Sequence, residues 1–199
     1  MNKRNFMFLA LLGAMVFNGH GEVRAQDANR WHNVDVNQQN RAPRRAAFFA
    51  FENQDKAQAF EKKNSANYLS MEGTWKFNFV KDYNKRPVNF FAANFDDSQW
   101  KDFPVPGLFE LNGYGDATYK NIGYAWATQF APNPPYISEL NNYTGSYRRT
   151  FDLPKDWKGK DVYFHVGSAT SNLTLWVNGK YVGYSEDSKV AAEFNISKY

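Results

Sequence analysis

Few side chains in this 199-residue chain could carry chemistry. Carboxylates stand at Asp116, inside a long irregular stretch, and at Glu186-Asp187, directly after a tight hairpin signal. Histidine occurs only at His20, His32 and His165, and no Ser/His/Asp set can be assembled from them. The absence of cysteine excludes thiolate catalysis, a disulfide framework, zinc fingers, iron–sulfur sites and lipid-modified cysteine. There is no GxSxG, HExxH, phosphate-cradling glycine loop or EF-hand pattern. His20 lies in the leader and His32 in a polar arm, while His165 falls on the outward side of an expected strand and reads as a structural histidine.

A loop Asp or Glu most often forms a turn or is simply solvated. The setting of Asp187 raises it above that reading. It follows Trp176-Val177-Asn178-Gly179-Lys180-Tyr181-Val182-Gly183-Tyr184, whose return strand delivers a carboxylate to a sheet rim beside aromatic rings. The irregular stretch adds Tyr114, Tyr119, Tyr124, Trp126 and Tyr136 among Asn and Asp. Flat rings for sugar C–H faces and short polar groups for hydroxyls are the mixture that carbohydrate recognition uses. The same rings would equally serve burial against another domain.

The elements that must position these residues have a period of two. Trp75, Phe77 and Phe79 share one face of 73–80 while Lys76 and Asn78 point away. Tyr147, Arg149 and Phe151 alternate with polar neighbours, as do Val162, Phe164 and Val166. Leu173, Leu175 and Val177 form another inward set, Asn178-Gly179 is a strong two-residue hairpin signal, and Phe194 with Ile196 begins a further strand. Short strands without long helices predict an all-β fold, a jelly-roll β-sandwich, and disfavour parallel α/β architectures. The exception is 103–144, rich in Pro, Gly, Asn and Tyr and weakly periodic, a length that marks functional or docking loops. Upstream, 26–42 is polar and reads as an extended arm, 46–51 is an isolated apolar run, and 54–63 has the spacing of a short helix.

Lys3 and Arg4 precede an apolar run, Phe6–Phe17, and Val23-Arg24-Ala25 supplies a small-x-small cleavage site. Residues 1–25 therefore read as a secretory signal peptide, too short to anchor a membrane span. An exported chain without cysteine suits the bacterial periplasm. Losing Lys3, Arg4, Arg24 and Glu22 lowers the net charge from +4 to +2. No Lys/Arg-dense stripe remains for a nucleic-acid backbone, and Arg41, Arg44 and Arg45, the one basic cluster, read as part of a solvated arm.

Gly145-Ser-Tyr-Arg-Arg-Thr-Phe-Asp-Leu-Pro154 with Trp157, then 175–188 and Glu193-Phe-Asn-Ile196, closely resemble the sugar-binding N-terminal domain of glycoside hydrolase family 2, in its bacterial β-galactosidase branch. Leu69-Ser-Met-Glu-Gly-Thr-Trp-Lys-Phe77, Val105-Pro106, Gly113-Tyr-Gly-Asp116, Tyr119-Lys-Asn-Ile122 and Asn133-Pro-Pro135 continue the match in order, from about Asn40 to Tyr199. The sequence departs from the pattern at Ala117, Ala125 and Ala191, where the family often has Pro, and at Gly107-Leu108-Phe109. Losing φ-fixing residues leaves loops less pre-set.

The resemblance implies a galactose-binding-domain-like jelly roll at 69–199 behind an extended arm at 26–68. It implies an immunoglobulin-like domain and a (β/α)8 barrel beyond Tyr199, where two glutamates would act as acid/base and nucleophile in a retaining double displacement. The chain is accordingly expected to be a truncated piece, inactive alone. Two site positions carry over: Asn121 to sugar hydroxyls, and Asp187 to the galactose 6-hydroxyl and a Na⁺ ion. Glu186 reads as a solvated neighbour, and any Mg²⁺ belongs to the barrel. The implied partners are a β-galactoside and the rest of the polypeptide, with room for a homo-oligomer. The alternatives are a stand-alone carbohydrate-binding module, or a β-glucuronidase or β-mannosidase of the same family. Asp187-Ser188 after Gly183-Tyr184 favours the galactosidase.

Overall fold

A computed structural model describes residues 30–117, 136–138 and 140–199. Among them the chain forms eight strands: β1 (Gln38–Gln39), β2 (Gly73–Asp82), β3 (Lys101–Val105), β4 (Leu140–Arg148), β5 (Tyr163–Val166), β6 (Asn172–Val177), β7 (Lys180–Glu186) and β8 (Ala192–Asn195). An α-helix, α1 (Gln54–Ala59), is capped by Asn53, whose side chain accepts from the Lys56 N–H. The expected all-β sandwich is present. Every strand pairing is antiparallel, in sheets ordered β1-β7-β6, β3-β2-β4 and β5-β8.

Two details differ from the sequence reading. Strand β3 lies where irregular chain was expected, because Pro104 and its short length weaken the alternating signal. Strand β4 ends at Arg148, whereas alternation had suggested strand through Phe151.

The alternation in β2 puts Trp75, Phe77 and Phe79 on one face, where they meet rings from both neighbours. Phe77 is 1% exposed, with centroids 4.4 Å from Phe103, 4.8 Å from Tyr147 and 4.9 Å from Tyr114. Such tilted and edge-on rings add to plain area burial. On the opposite face Arg148 pins the 86–100 loop, donating from Nε to Asp97 at 2.8 Å and from Nη1 to the carbonyls of Phe90 and Ala92. Phe91 of that loop stacks on Trp176 of β6 at 5.4 Å, joining this sheet to the β6–β7 hairpin.

The second core lies between the hairpin and the β5-β8 pair. It is built on Val162, Val182, Ala192, Phe194 and Ile196, with Leu173, Leu175 and Val177 packed against it. The hairpin turn uses Asn178 at φ 50° and Gly179 at φ 79°, the conformation that makes Asn-Gly the preferred pair. Gly183 serves a different purpose. A Cβ there would meet the Phe194 ring at 2.6 Å and the Gln39 carbonyl at 2.7 Å, so only glycine lets core and arm close on β7.

The basic cluster is solvated, as expected, but it is also paired. Gln38 and Gln39 pair with Ser185 and Tyr184, and the Ala42 N–H donates to the Glu193 carbonyl at 2.8 Å. The arm thus runs from the edge of β7 onto β8. Arg41 donates to Ser185 Oγ at 2.9 Å. Arg45 forks onto Glu193 at 2.9 and 2.6 Å, and His165 Nδ1 meets the same carboxylate at 3.0 Å. Burial pushes the Glu193 carboxyl up, but the hydrogen bonds from His165 and Arg45 outweigh it and hold the carboxyl below its usual range.

Gly183→Ala should destabilise the chain by about 1–3 kcal/mol, read as a lower urea midpoint. A midpoint equal to the wild type would show that β7 and its neighbours can part freely. Because the folded Glu193 carboxyl is the stronger acid, its contribution is complete above the unfolded value near 4.5 and is lost as pH falls through the lower folded value. Glu193→Gln should therefore flatten the acid limb of stability against pH, measured by urea unfolding from pH 6 down to pH 3.

Candidate functional site

Asp187 sits one residue beyond β7, at the rim that the hairpin sets. Its backbone has φ 136°, a region that side chains rarely adopt, that costs about 1–3 kcal/mol and that persists only where the surroundings impose it. Those surroundings are visible on both sides. The Asp187 N–H donates to the Ser171 carbonyl at 3.2 Å, and the preceding Glu186 N–H donates to the Asn37 carbonyl of the arm at 2.9 Å. The carboxylate is 29% exposed, and Arg44 Nη2 donates to its Oδ2 at 2.5 Å. Oδ1 receives a long 3.4 Å bond from the Lys189 N–H.

Glu186 is less solvated than its position suggests. It accepts from the Tyr184 hydroxyl at 2.6 Å, and Tyr184 is 2% exposed. Burial first, and then that hydrogen bond, push the Tyr184 phenol far up, so it stays a neutral donor. Arg30, 6% exposed, lies 4.4 Å from the Tyr181 centroid and 5.7 Å from Tyr184. The aromatic floor behind the rim is therefore covered by the arm.

The other candidate residues divide. Asp116 accepts from the Tyr143 hydroxyl and lies 3.9 Å from Lys81 Nζ, tying the start of the long loop to β4. The hydrogen bond to Asp116, ahead of burial, pushes the Tyr143 phenol up. Tyr114 belongs to the ring cluster around Phe77 rather than to a sugar-facing surface. Tyr136 is 62% exposed, its ring 5.7 Å from His32. His32 itself stacks on Trp31 and meets the Ile137 carbonyl at 3.2 Å. Asn121, Tyr119, Tyr124 and Trp126 lie outside the described residues.

What this arrangement offers a ligand is a partly exposed carboxylate held in a fixed orientation. No group of three or more His, Asp or Glu gathers to hold a metal among the described residues. As a Na⁺ site the set at Asp187 fits poorly, since its one carboxylate already faces a guanidinium. A groove of about 490 Å³ lined by Asn40, Val182, Asn195, Ser197, Lys198 and Tyr199 brings no carboxylate to its wall. No described helix is long and apolar enough to cross a membrane. Arg44 is the residue that sequence reasoning missed at this site. Its only signal was its place in the basic cluster Arg41, Arg44 and Arg45.

Comparison with known proteins gives the family. Residues 68–199 match the family model of the glycosyl hydrolases family 2 sugar binding domain. A β-galactosidase of Priestia megaterium is 34% identical over 181 residues, covering 90% of this chain and 18% of that protein. A β-galactosidase of Halalkalibacterium halodurans is 38% identical over 130 residues, covering 65% of this chain and 13% of that protein. Among solved structures, a β-glucuronidase of Bacteroides uniformis aligns with 64% of this chain and 13% of its own, at TM-score 0.41 and 23% identity. The chain spans under a fifth of the length of these curated relatives. It belongs to glycosyl hydrolase family 2, in which it forms the sugar-binding domain.

Proposed function

We propose that this chain is the N-terminal sugar-binding domain of an exported, retaining β-galactosidase. In this reading residues 1–25 are the export signal and 69–199 the binding domain, and the hydrolytic glutamates stand on a barrel supplied by the rest of the polypeptide. The supporting observation is Asp187, a partly exposed carboxylate held at the rim on a backbone conformation imposed from both sides. Strain of that kind concentrates where a side chain must be aimed. Asp187 accepts a hydrogen bond from a sugar hydroxyl, and Asn121 adds a second polar contact. Their contribution is orientation: a galactoside fixed on one side reaches chemistry on the other with less freedom to lose. The relatives named β-galactosidase favour galactosides over glucuronides.

Two measurements test this. Residues 26–199 alone should hydrolyse no aryl β-galactoside, and turnover by the pure fragment would refute the division of labour. In the full-length polypeptide, Asp187→Ala should lower kcat/KM for an aryl β-galactoside about 10- to 100-fold, the scale of a hydrogen bond to a charged group. Unchanged kinetics would remove Asp187 from the sugar site.

A further inference from the structure

The arm does more at Asp187 than cover a sheet edge. Arg44 is delivered there between two fixed points: Arg41 on Ser185 Oγ, and Arg45 forked onto Glu193. Pro43, with φ preset, precedes it. The guanidinium is 54% exposed, and of its nitrogens Nη2 faces Asp187. An Arg–carboxylate pair presents donors and acceptors side by side, which suits a neutral hydroxyl group that both gives and accepts a hydrogen bond.

We propose that Arg44 supplies at Asp187 the positive charge that a monovalent cation would otherwise supply, so that sugar binds this carboxylate without Na⁺. The inference rests on the reading of Asp187 as a sugar-binding residue. Its basis is geometric. A cation on Oδ2 would lie against a guanidinium already 2.5 Å from that oxygen, and like charges at such separation repel. No second carboxylate joins Asp187 in a group of three or more His, Asp or Glu among the described residues, so the charge facing that oxygen is the guanidinium's. The neutralised pair leaves the carboxylate charged, so it remains a strong hydrogen-bond acceptor for a hydroxyl.

The test uses the full-length polypeptide at constant ionic strength, with choline exchanged for Na⁺. Sodium-23 line broadening reads cation binding, and calorimetry with a non-hydrolysed thio-β-galactoside reads sugar binding. For the wild type, broadening should be the same as for Asp187→Asn, and thiogalactoside affinity the same in Na⁺ and choline. Arg44→Gln keeps a hydrogen-bond donor but removes the charge. It should gain broadening that Asp187→Asn abolishes, and its sugar affinity should rise about two- to fivefold on adding Na⁺, the range of an exposed ion pair. Arg44→Lys should behave as the wild type. Broadening in the wild type that Asp187→Asn removes would overturn the proposal, as would an Arg44→Gln protein still indifferent to Na⁺. If the wild type fails to bind thiogalactoside, the sugar-site reading fails, while the sodium signal still decides whether Arg44 excludes the cation.

Discussion

The arm laid along β7 is the contact on which the rest of the structure turns. Strand β7 lies between β6 and β1, and its middle residues Val182, Gly183, Tyr184 and Ser185 are all buried. Without the arm, β7 would be a bare edge with unpaired backbone groups, a template for unwanted pairing. The arm satisfies that edge with the Gln38–Gln39 pairing and the Asn40 side chain on the Val182 carbonyl. It then crosses to β8 at Glu193, so one segment ties two sheets. No single contact here is strong, because exposed ion pairs contribute about 0–1 kcal/mol each. The Arg45 fork onto a Glu193 side chain only 16% exposed, with His165 on the same carboxylate, is the best protected of them. The arm holds by the number and alignment of its contacts.

Aromatic residues make up 18% of the chain, and the two cores divide by residue type. Rings on β2, β3 and β4 fill one core, and aliphatic residues with Phe194 fill the other. The Phe91–Trp176 stack and the Arg148 contacts to the 86–100 loop join the two regions. The hairpin that ends at Asp187 is therefore anchored through Trp176 on one side and through the arm on the other. Rigidity at both ends of β6–β7 makes a strained residue at the rim sustainable.

Where periodicity was clean, the sequence was legible. Trp75-Phe77-Phe79, Leu173-Leu175-Val177 and the Asn178-Gly179 turn led directly to β2, β6 and the β6–β7 hairpin. It was silent on β3, where Pro104 interrupts a five-residue strand, and it misjudged Tyr114, since a tyrosine among Gly and Asp looks the same whether it faces sugar or core. The arm was the larger miss. A polar Gln-Gln dipeptide carries no hydrophobic pattern, and an Arg cluster shows no partners until they are found some 140 residues away. Pairings of that separation are set by tertiary structure, and local spacing does not encode them. The site divided along the same line, with Asp187 legible from its hairpin and Arg44 hidden by distance.

In the proposed reading, Asp187 and Arg44 serve hydrolysis by orienting a sugar for groups that stand elsewhere in the polypeptide. Binding energy is useful to catalysis only when it fixes the reacting bond relative to groups that act on it. A carboxylate on a freely rotating loop would bind a hydroxyl but fix little. Here the Ser171 and Asn37 carbonyls hold the backbone at Asp187 and Glu186, the guanidinium holds Oδ2, and the arm that brings the guanidinium is anchored at Glu193. Each restraint removes one degree of freedom from the acceptor before any sugar arrives. The cost is the backbone conformation at φ 136°, which the folded arm and hairpin impose together. Loosening the arm would thus reach the proposed sugar site through the orientation of Asp187, leaving its charge and identity unchanged.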